Sequence, residues 1–323
     1  MTRVVAVNAV GGPEVLSIED WDIGVPGPGQ ARLRQTAIGL NFIDSYQRSG
    51  LYPLPLPFVA GNEGAGEVIA VGEGVTEVKV GDRVCYQGSP GAYAQERLMP
   101  VDKLVPIPDG VDDRTAAAVL LKGLTAFYLL FKTWPVQAGE SILWHAAAGG
   151  TGLIATQWAR ALGATVIGTA GGPEKVQKAL DHGCHHVIDY NIEDFPRLVK
   201  EFTGGRGVDV VYDGVGKTTF EGSLDCLRPR GLLASFGNAS GVVSVPDLGV
   251  LARKGSLFVT RPTGTHYFPK RENLLEGAKA LFDAIQAGDI KVGIGRTYPL
   301  EEVAEAHRAL EARETTGSVV LMP

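Results

Sequence analysis

Apolar and polar residues change their spacing along the chain near residue 140. From Ser141 onward, short apolar runs alternate with segments of helical periodicity, which predicts a parallel sheet with helices between its strands. The predicted strands cover residues 141–145, 164–169, 185–189, 208–213, 231–236 and 256–260. Helices are predicted between them, for example over residues 174–181 and 194–202. This regular alternation predicts an α/β domain with a doubly wound, six-stranded parallel sheet.

Residues 1 to about 110 have a different pattern, in which short strand-like runs are separated by Gly and Pro turns. Strands are predicted over residues 3–9, 31–39 and 66–71, and this spacing favours a β-rich, partly closed barrel. A helix predicted over residues 112–131 leads into the α/β region.

The alternation stops after about Arg261. Helices are predicted over residues 271–287 and 301–313, with short strands over 296–299 and 318–321. The last strand is too short to form a domain alone, so we expect it to return to the first one. The chain is therefore divided into a β-rich domain of residues 1–120 and 261–323 and an α/β domain of residues 121–260 inserted in it. We expect the active site in the cleft between them.

The turn after the first α/β strand carries candidate chemistry. It reads Ala147-Ala148-Gly149-Gly150-Thr151-Gly152, a GxGxxG pattern with alanine first, and a helical run begins at Leu153. Gly149 lets backbone approach a pyrophosphate, and Gly152 lets the helix pack closely on its strand. The helix N-terminus then offers N–H groups to the phosphates. Glycine turns often only join elements, but the strand–turn–helix context predicts dinucleotide binding by residues 148–153.

The residues after the second strand indicate which dinucleotide is bound. A site for NAD usually has Asp or Glu about 20 residues further on, which holds the ribose 2′-OH. Here the strand ends in Gly168-Thr169-Ala170-Gly171-Gly172, and the next carboxylate is Glu174. An open loop followed by Lys175 favours a 2′-phosphate and therefore NADPH. The alternative for Lys175 is a solvated lysine in a helix's first turn.

Composition and charge narrow the function classes. The chain has 323 residues, 43 glycines and a net charge of −6 without a basic tract, so nucleic acid and anionic membranes are not expected partners. We expect no membrane-spanning run, and the N-terminus lacks the apolar stretch of a signal peptide. Cys85, Cys184 and Cys226 lie far apart and are interpreted as buried thiols. We expect a cytoplasmic protein.

The order of the domains and four motifs resemble a known family. The layout is similar to the medium-chain dehydrogenase/reductase superfamily, with a Rossmann domain inserted in a β-rich domain. The motifs resemble its zinc-free quinone oxidoreductases, the group that includes zeta-crystallin. They are Asn41-Phe42-Ile43-Asp44-Ser45-Tyr46-Gln47-Arg48-Ser49-Gly50, His145-Ala146-Ala147-Ala148-Gly149-Gly150-Thr151-Gly152, Ser235-Phe236-Gly237-Asn238 and Val259-Thr260-Arg261-Pro262. The resemblance covers essentially the whole chain.

The resemblance also bears on metal binding. Zinc-dependent relatives have Cys at the position of Asn41 and His at that of Asn62, and amides are poor zinc ligands. The loop after Cys85 has no further cysteine for a structural zinc site. The remaining candidate, His182-x-Cys184-His185-His186, is interpreted as a surface turn between helix and strand. No metal is expected.

Without zinc, the negative charge that develops on the acceptor oxygen needs hydrogen-bond donors. A quinone is easily reduced, so donors without a strong acid suffice, and the resemblance implies Asn41, Tyr46 and Tyr52 in this role. Helical spacing would place Asn41 and Tyr46 near each other. The alternatives are a surface position for Tyr46 and turn packing for Tyr52.

The resemblance implies further contacts to the cofactor. Tyr128 would lie on the nicotinamide side, although a core aromatic is the alternative, and Tyr190 would lie on the adenosine side. Arg313 would bind phosphate, with a solvated helix charge as its alternative. The remaining implied contacts are Asn41, Tyr46, Gly168, Thr169, Gly214, Val215, Phe236, Gly237, Asn238, Val259, Thr260 and Arg261.

These features predict a cytoplasmic, zinc-free, NADPH-dependent quinone oxidoreductase that forms a homodimer. An enone or alkenal reductase would use the same fold and the same hydride donor. An NADPH-binding protein of low turnover is a rival of a different class.

Overall fold

The computed structural model describes residues 1–245 and 247–323, and the chain forms two compact units. The first unit comprises Met1–Leu124, Phe268–Phe282 and Val292–Pro323. The second comprises Thr125–Tyr267 and Asp283–Lys291. The two main boundaries between the units thus fall after Leu124 and Tyr267, a few residues beyond the predicted positions 120 and 260. Residues 283–291, which were predicted to belong to the first domain, lie in the second unit.

The helices follow the predicted periodicity closely. They are α1 (Phe42–Arg48), α2 (Asp113–Phe127), α3 (Gly150–Ala161), α4 (Pro173–Asp181), α5 (Phe195–Phe202), α6 (Phe220–Cys226), α7 (Gly249–Arg253), α8 (Gly264–Tyr267), α9 (Arg271–Ala287) and α10 (Val303–Glu311). The helix α9 has the predicted bounds, whereas α10 begins later and ends earlier than residues 301–313. A 3-10 turn, Leu300–Glu302, precedes α10, and Arg313 beyond its end has a left-handed backbone (φ 59°).

The first unit contains two sheets. Its strands are β1 (Thr2–Val7), β2 (Leu16–Trp21), β3 (Gln30–Leu40), β4 (Phe58–Val59), β5 (Glu63–Val71), β6 (Arg83–Gln87), β7 (Glu96–Pro100), β8 (Val105–Pro106), β15 (Ile294–Pro299) and β16 (Ser318–Met322). A three-stranded sheet has the order β2-β1-β4, and a seven-stranded sheet has the order β15-β16-β3-β5-β6-β8 with β7 paired to β3. The C-terminal strand β16 lies antiparallel to β3, with Val320 opposite Gly39, so the chain end returns to the first unit.

One apolar core fills the first unit. Leu33, Tyr86 and Met99 are fully buried in it, and α10 contributes Ala306 and Leu310. Burying such side chains stabilises the unit by roughly 1.5–3 kcal/mol each. This core fixes α10 on the same body as α1, the helix that follows Asn41.

The second unit is built around a six-stranded parallel sheet, as predicted. Its strands are β9 (Ser141–Trp144), β10 (Thr165–Ala170), β11 (His186–Asp189), β12 (Val208–Asp213), β13 (Leu227–Ser235) and β14 (Phe258–Thr260). The order is β11-β10-β9-β12-β13-β14, and each neighbouring pair is parallel. The order reverses between β9 and β12, the position at which such sheets bind ligands.

Two strands differ from their predicted bounds by more than one residue. The strand β13 begins at Leu227 rather than 231, although Arg228-Pro229-Arg230 has the composition of a turn. The strand β14 is limited to Phe258–Thr260, because Ser256 has a left-handed backbone (φ 55°) that ends extended structure. Both differences move strand ends and leave the sheet order unchanged.

The segment Asp113–Thr133 bears on the expectation that no run of the chain spans a membrane. By length and composition it is long and apolar enough to cross a membrane, with mean hydropathy 1.4. It consists of α2 followed by a π-helical turn, Tyr128–Thr133, and 72% of its most apolar window is buried inside the protein. Buried core helices of soluble proteins have the same composition, so this segment alone is weak evidence for a membrane span.

Candidate functional site

The glycine turn between β9 and α3 folds back on the carbonyl oxygen of Ala146. A Cβ on Gly152 would lie 2.5 Å from that oxygen, and a Cβ on Gly149 would lie 3.2 Å from it. Gly149 is the N-cap of α3 and has no side chain that could accept from the first N–H groups of the helix. The first N–H groups of α3 therefore have no acceptor from an N-cap side chain, and helix N-termini of this kind favour anions.

The turns after β12 and β13 pack tightly at the same edge of the sheet. A Cβ on Gly237 would lie 2.2 Å from the carbonyl oxygen of Gly214. The Arg261 Nη1 donates to the carbonyl oxygens of Ser235 (2.9 Å) and Gly237 (3.0 Å). Because parallel strands end at one edge, the predicted contacts at the ends of β9, β10, β12, β13 and β14 are gathered there.

The residues at this edge are Ala148, Gly149, Gly150, Thr151, Gly152, Leu153, Gly168, Thr169, Gly214, Val215, Phe236, Gly237, Asn238, Val259, Thr260 and Arg261. Ala148, Leu153 and Thr169 are only 2%, 2% and 1% exposed, so their side chains support the edge from inside.

The region predicted for the adenosine end lies between β10 and α4. Gly172 (φ 86°) is the N-cap of α4, and Lys175 lies in the first turn of this helix. Tyr190 is 40% exposed beyond β11 and covers Gly171, on which a Cβ would lie 2.6 Å from the tyrosine oxygen. One carboxylate oxygen of Asp189 accepts from the backbone N–H groups of Gly172 and Asn191.

A buried polar chain behind the glycine turn was not singled out by the sequence analysis. His145 is 1% exposed, with Nδ1 3.0 Å from the Thr169 hydroxyl and Nε2 2.9 Å from the Ser223 hydroxyl. Ser223 in turn donates to Asp213 (3.1 Å), which is fully buried. The sequence signal for this row of hydrogen bonds was the histidine that begins the glycine motif. The partners of that histidine are remote in sequence.

The two remaining predicted contacts, Tyr128 and Arg313, differ in burial. Tyr128 is 5% exposed and stacks on Tyr267, with ring centroids 4.6 Å apart and planes inclined by 13°. Arg313 is exposed and follows α10 in the first unit.

In the first unit, Asn41 is held by a buried ion pair. The Asn41 amide donates to Glu63 Oε2 (2.8 Å) and to the carbonyl oxygen of Gly39 (3.3 Å). The Lys122 ammonium donates to the same Glu63 oxygen (3.1 Å). Asn41, Glu63 and Lys122 are 6%, 0% and 6% exposed, so the amide is fixed in a buried charged setting.

Tyr46 and Tyr52 form an aromatic pair at the end of α1. Their rings meet edge to face with centroids 5.2 Å apart, and the Tyr52 N–H donates to the Tyr46 carbonyl oxygen (3.0 Å). Both are half-buried, so each ring is anchored on one side and accessible on the other.

Asp44 joins α1 to β-rich parts of the first unit. Its carboxylate accepts from the Asn41 backbone N–H (2.8 Å), the Asn62 amide (2.7 Å) and the Tyr93 hydroxyl (2.8 Å). Burial raises the pKa of Asp44 to about 6. The Tyr93 hydroxyl also lies 3.1 Å from Nε2 of His307 in α10.

His307 is fully buried, and the Arg48 Nη1 donates to its Nδ1 (3.0 Å). Burial, with a smaller effect from the Arg48 charge, lowers the pKa of His307 to about 3. Arg48 also pairs with Glu311 at 2.6 Å. The predicted site residues Asn41 and Tyr46 thus lie at the two ends of a helix segment tied to α10.

No group of three or more His, Cys, Asp or Glu side chains suited to a metal ion occurs within residues 1–245 and 247–323. Around the candidate 182–186 turn, Cys184 is buried, and burial raises its pKa to about 12. The His185 Nδ1 accepts from the Val166 N–H (3.0 Å), and the His186 ring stacks on Phe202. Cys184 is thus buried, whereas His185 and His186 are exposed and are engaged by a backbone N–H and by the Phe202 ring.

Comparisons with known proteins match this geometry. The alcohol dehydrogenase GroES-like domain matches residues 27–109, and the zinc-binding dehydrogenase family matches residues 150–276. A quinone oxidoreductase of Pseudomonas aeruginosa is 54% identical over the full length of both chains. A 2-haloacrylate reductase of a Burkholderia species is 50% identical, over 100% of this chain and 99% of the relative. The crystal structure of Escherichia coli quinone oxidoreductase complexed with NADPH has a TM-score of 0.97 at 48% identity, covering 99% and 100% of the two chains.

Proposed function

The chain belongs to the quinone oxidoreductases of the medium-chain dehydrogenase/reductase superfamily, and on that premise we propose that it reduces quinones with NADPH. The observation that carries the proposal is the glycine turn at the carboxyl edge of a complete six-stranded parallel sheet. Relatives of about 50% identity carry the name quinone oxidoreductase, and one of them was solved with NADPH.

The residues of the second unit fit NADPH. The first N–H groups of α3 bind the pyrophosphate, since Gly149 and Gly152 leave the backbone accessible. Lys175 and the N-terminus of α4 bind the 2′-phosphate, where both the ammonium and the helix dipole favour negative charge. When bound, NADPH supplies a hydride from its nicotinamide ring.

The residues of the first unit orient and stabilise the acceptor. We assign hydrogen-bond donation to the hydroxyl groups of Tyr46 and Tyr52, whose rings are half-buried. Asn41 orders the start of α1 through its contact with Glu63. Two electrons and one hydrogen reach the quinone as a hydride, and one proton from water completes the hydroquinone. No side chain has to act as a strong acid, because the reduced product is aromatic.

We further infer that the reaction is independent of zinc. Amide side chains stand at positions 41 and 62, and both amides are engaged with carboxylate or amide oxygens of the fold.

Reduction of an activated alkene is the second candidate function. The 2-haloacrylate reductase that is 50% identical to this chain favours it, since that relative covers nearly the same length. Hydride delivery to a carbon β to a carbonyl would use the same nucleotide site.

We also propose a cytoplasmic homodimer in which the β14 edge of the sheet is paired or covered. The strand β14 ends the parallel sheet, and Phe258 and Val259 are 57% and 37% exposed on it. An apolar edge strand is an aggregation hazard unless another chain or element covers it.

Steady-state rates with NADPH and NADH over a panel of quinones, enones and 2-haloacrylates test the function. We expect the highest kcat/KM for a quinone with NADPH. A larger kcat/KM for every alkene would instead establish an alkene reductase. Tight binding of NADPH without turnover on any acceptor would indicate a binding protein.

A further inference from the structure

The glycine turn depends on a residue in an unfavourable backbone conformation. Ala146 has φ 54°, in the left-handed region where an L-residue persists only if its surroundings hold it. Its side chain is exposed, so packing of its own methyl group does not hold it. Its carbonyl oxygen accepts from the Gly149 N–H at 2.9 Å, and Gly152 passes beneath it. The position of the whole turn therefore follows from Ala146.

The preceding residue, His145, is held at both ring nitrogens. The Ser223 hydroxyl has one hydrogen, which it donates to the carboxylate of Asp213, so it accepts from His145 Nε2. The His145 Nδ1 must then accept from the Thr169 hydroxyl. Burial lowers the pKa of His145, which keeps the ring neutral as this arrangement requires. The tautomer with hydrogen on Nε2 is thus fixed by its partners.

The same chain of hydrogen bonds fixes the next turn at this edge. Asp213 Oδ1 accepts from the backbone N–H groups of Val215 (2.8 Å) and Gly216 (2.9 Å), directly after β12. On the other side, the Thr169 carbonyl oxygen accepts from the Ala147 N–H (2.9 Å). His145 therefore ties together the ends of β10, β9 and β12, three neighbouring strands of the sheet.

We propose that His145 is a positioning residue for the pyrophosphate of the dinucleotide. Its two ring hydrogen bonds hold the main chain at Ala146 in the left-handed conformation, and this conformation aims the first N–H groups of α3 at the phosphates. The inference rests on the nucleotide-binding part of the proposed function and is independent of the acceptor. Because NADPH and NADH share the pyrophosphate, it predicts an equal effect on both.

The replacement His145→Leu keeps the residue apolar and of similar size while removing both hydrogen bonds. We expect the Kd of NADPH and of NADH, from fluorescence titration without any quinone, to rise by the same factor, about tenfold. The kcat at saturating NADPH should stay within about twofold of wild type, because binding and not chemistry is disturbed. A matched control is His185→Leu, since His185 also accepts from a sheet N–H but lies at the opposite, amino end of β11.

A second change separates positioning from general stability. Glycine adopts positive φ freely, so Ala146→Gly should not need the anchor. Alone, it should change the Kd by no more than about twofold, whereas in the His145→Leu background it should recover most of the lost affinity. A double variant that binds as weakly as His145→Leu would overturn the proposal, as would unchanged binding by His145→Leu.

If His145→Leu does not fold, Ser223→Ala provides the milder break, since it removes one link and leaves the ring in place. It should raise the Kd of both cofactors by about threefold, and Ala146→Gly should again restore it. Unchanged binding by Ser223→Ala would then overturn the proposal. A wild-type chain that binds NADPH but reduces no quinone would contradict the proposed function and leave this inference intact.

Discussion

At the scale of single residues, the proposed preference for NADPH rests on Lys175. It lies in the first turn of α4, behind Gly172 and Pro173, where neither residue offers a carboxylate to a ribose hydroxyl. A 2′-phosphate there would be stabilised by the ammonium and by the helix N-terminus together.

We therefore predict that Lys175→Ala weakens NADPH binding and leaves NADH binding nearly unchanged. A charge-assisted hydrogen bond contributes roughly 1.5–3 kcal/mol, so the Kd of NADPH should rise about tenfold or more. Titration of both cofactors measures the difference, and Lys178→Ala on the same helix serves as the control. Equal losses for NADPH and NADH would show that Lys175 does not bind the 2′-phosphate.

Tyr46 tests how the acceptor is activated. Loss of one neutral hydrogen bond costs about 0.5–1.5 kcal/mol, so Tyr46→Phe should lower quinone turnover by a few-fold to roughly tenfold. The Phe ring keeps the edge-to-face contact with Tyr52, which isolates the hydroxyl. Turnover is measured at saturating NADPH beside a one-electron acceptor that needs no proton.

Two results would change this view of Tyr46. A hundredfold loss confined to acceptors that need a proton would make Tyr46 an acid catalyst. No change on any acceptor would return it to a surface tyrosine.

At the scale of elements, α1 and α10 are joined by a directed chain of buried hydrogen bonds. The Arg48 guanidinium only donates, so His307 Nδ1 accepts and Nε2 carries the hydrogen. Tyr93 then accepts from His307 and donates to Asp44, which accepts from the Asn41 N–H at the start of α1. The start of α1 is thus set by a helix more than 250 residues away in sequence.

Because of these buried hydrogen bonds, we predict that the stability of the fold decreases at acid pH. The unfolded chain binds a proton at His307 near the ordinary pKa of 6.5, and the folded protein binds it only near 3. The stability contributed by neutral His307 is therefore complete above about pH 6.5 and is lost as the pH falls toward 3. Asp44 acts oppositely below pH 6, because its raised pKa makes the folded protein bind a proton first.

The variant His307→Gln cannot be protonated. Between pH 6.5 and 4.5 its free energy of unfolding should fall less steeply than that of wild type, by about 1.4 kcal/mol per pH unit at most. Denaturant titrations at several pH values measure both slopes, and Asp44 is common to the two proteins. Identical slopes would show that the pKa of His307 is the same in the folded and the unfolded chain.

The elements that the sequence predicted well are those set by local periodicity. The bounds of α9 were predicted to the residue, and the six parallel strands appear in the predicted order along the chain. The early start of β13 at Leu227 was missed, because Pro229 within it has the composition of a turn. The split of the first unit into two sheets depends on strand pairing between distant segments, which composition does not encode.

The candidate site was predictable to a similar extent. The glycine turn was found because its spacing is local, and the structure forms it between β9 and α3. The partners of His145 and Asn41 were not, since Ser223 lies on a helix and Glu63 on a strand that are remote from them in sequence. Each of these contacts forms only when its own unit has folded.

At the scale of the whole molecule, independence from metal is the first property to measure. The amide of Asn62 donates to Asp44 and Gln47, and that of Asn41 donates to Glu63, so both are engaged without an ion. Dialysis against a strong chelator should therefore leave the far-UV spectrum, melting temperature and quinone turnover unchanged. Stoichiometric zinc in the purified protein, lost together with activity, would contradict the zinc-free assignment.

The second property to measure is the oligomeric state. The two edges of the parallel sheet differ in the apolar residues that they expose. At one edge β14 exposes Phe258 and Val259, while at the other Ile192, beyond β11, is 83% exposed but lies outside a strand. Pairing of β14 with its counterpart across a two-fold axis would extend the sheet and cover Phe258.

Light scattering at micromolar concentration should therefore give twice the 34.1 kDa mass of one chain. A charge at the paired edge would have to be buried, so Phe258→Lys should shift the mass toward the monomer. The matched variant Ile192→Lys, at the opposite edge, should leave the dimer intact. A wild-type protein that is strictly monomeric, or a dimer that both variants leave unchanged, would show that β14 is not the contact between subunits.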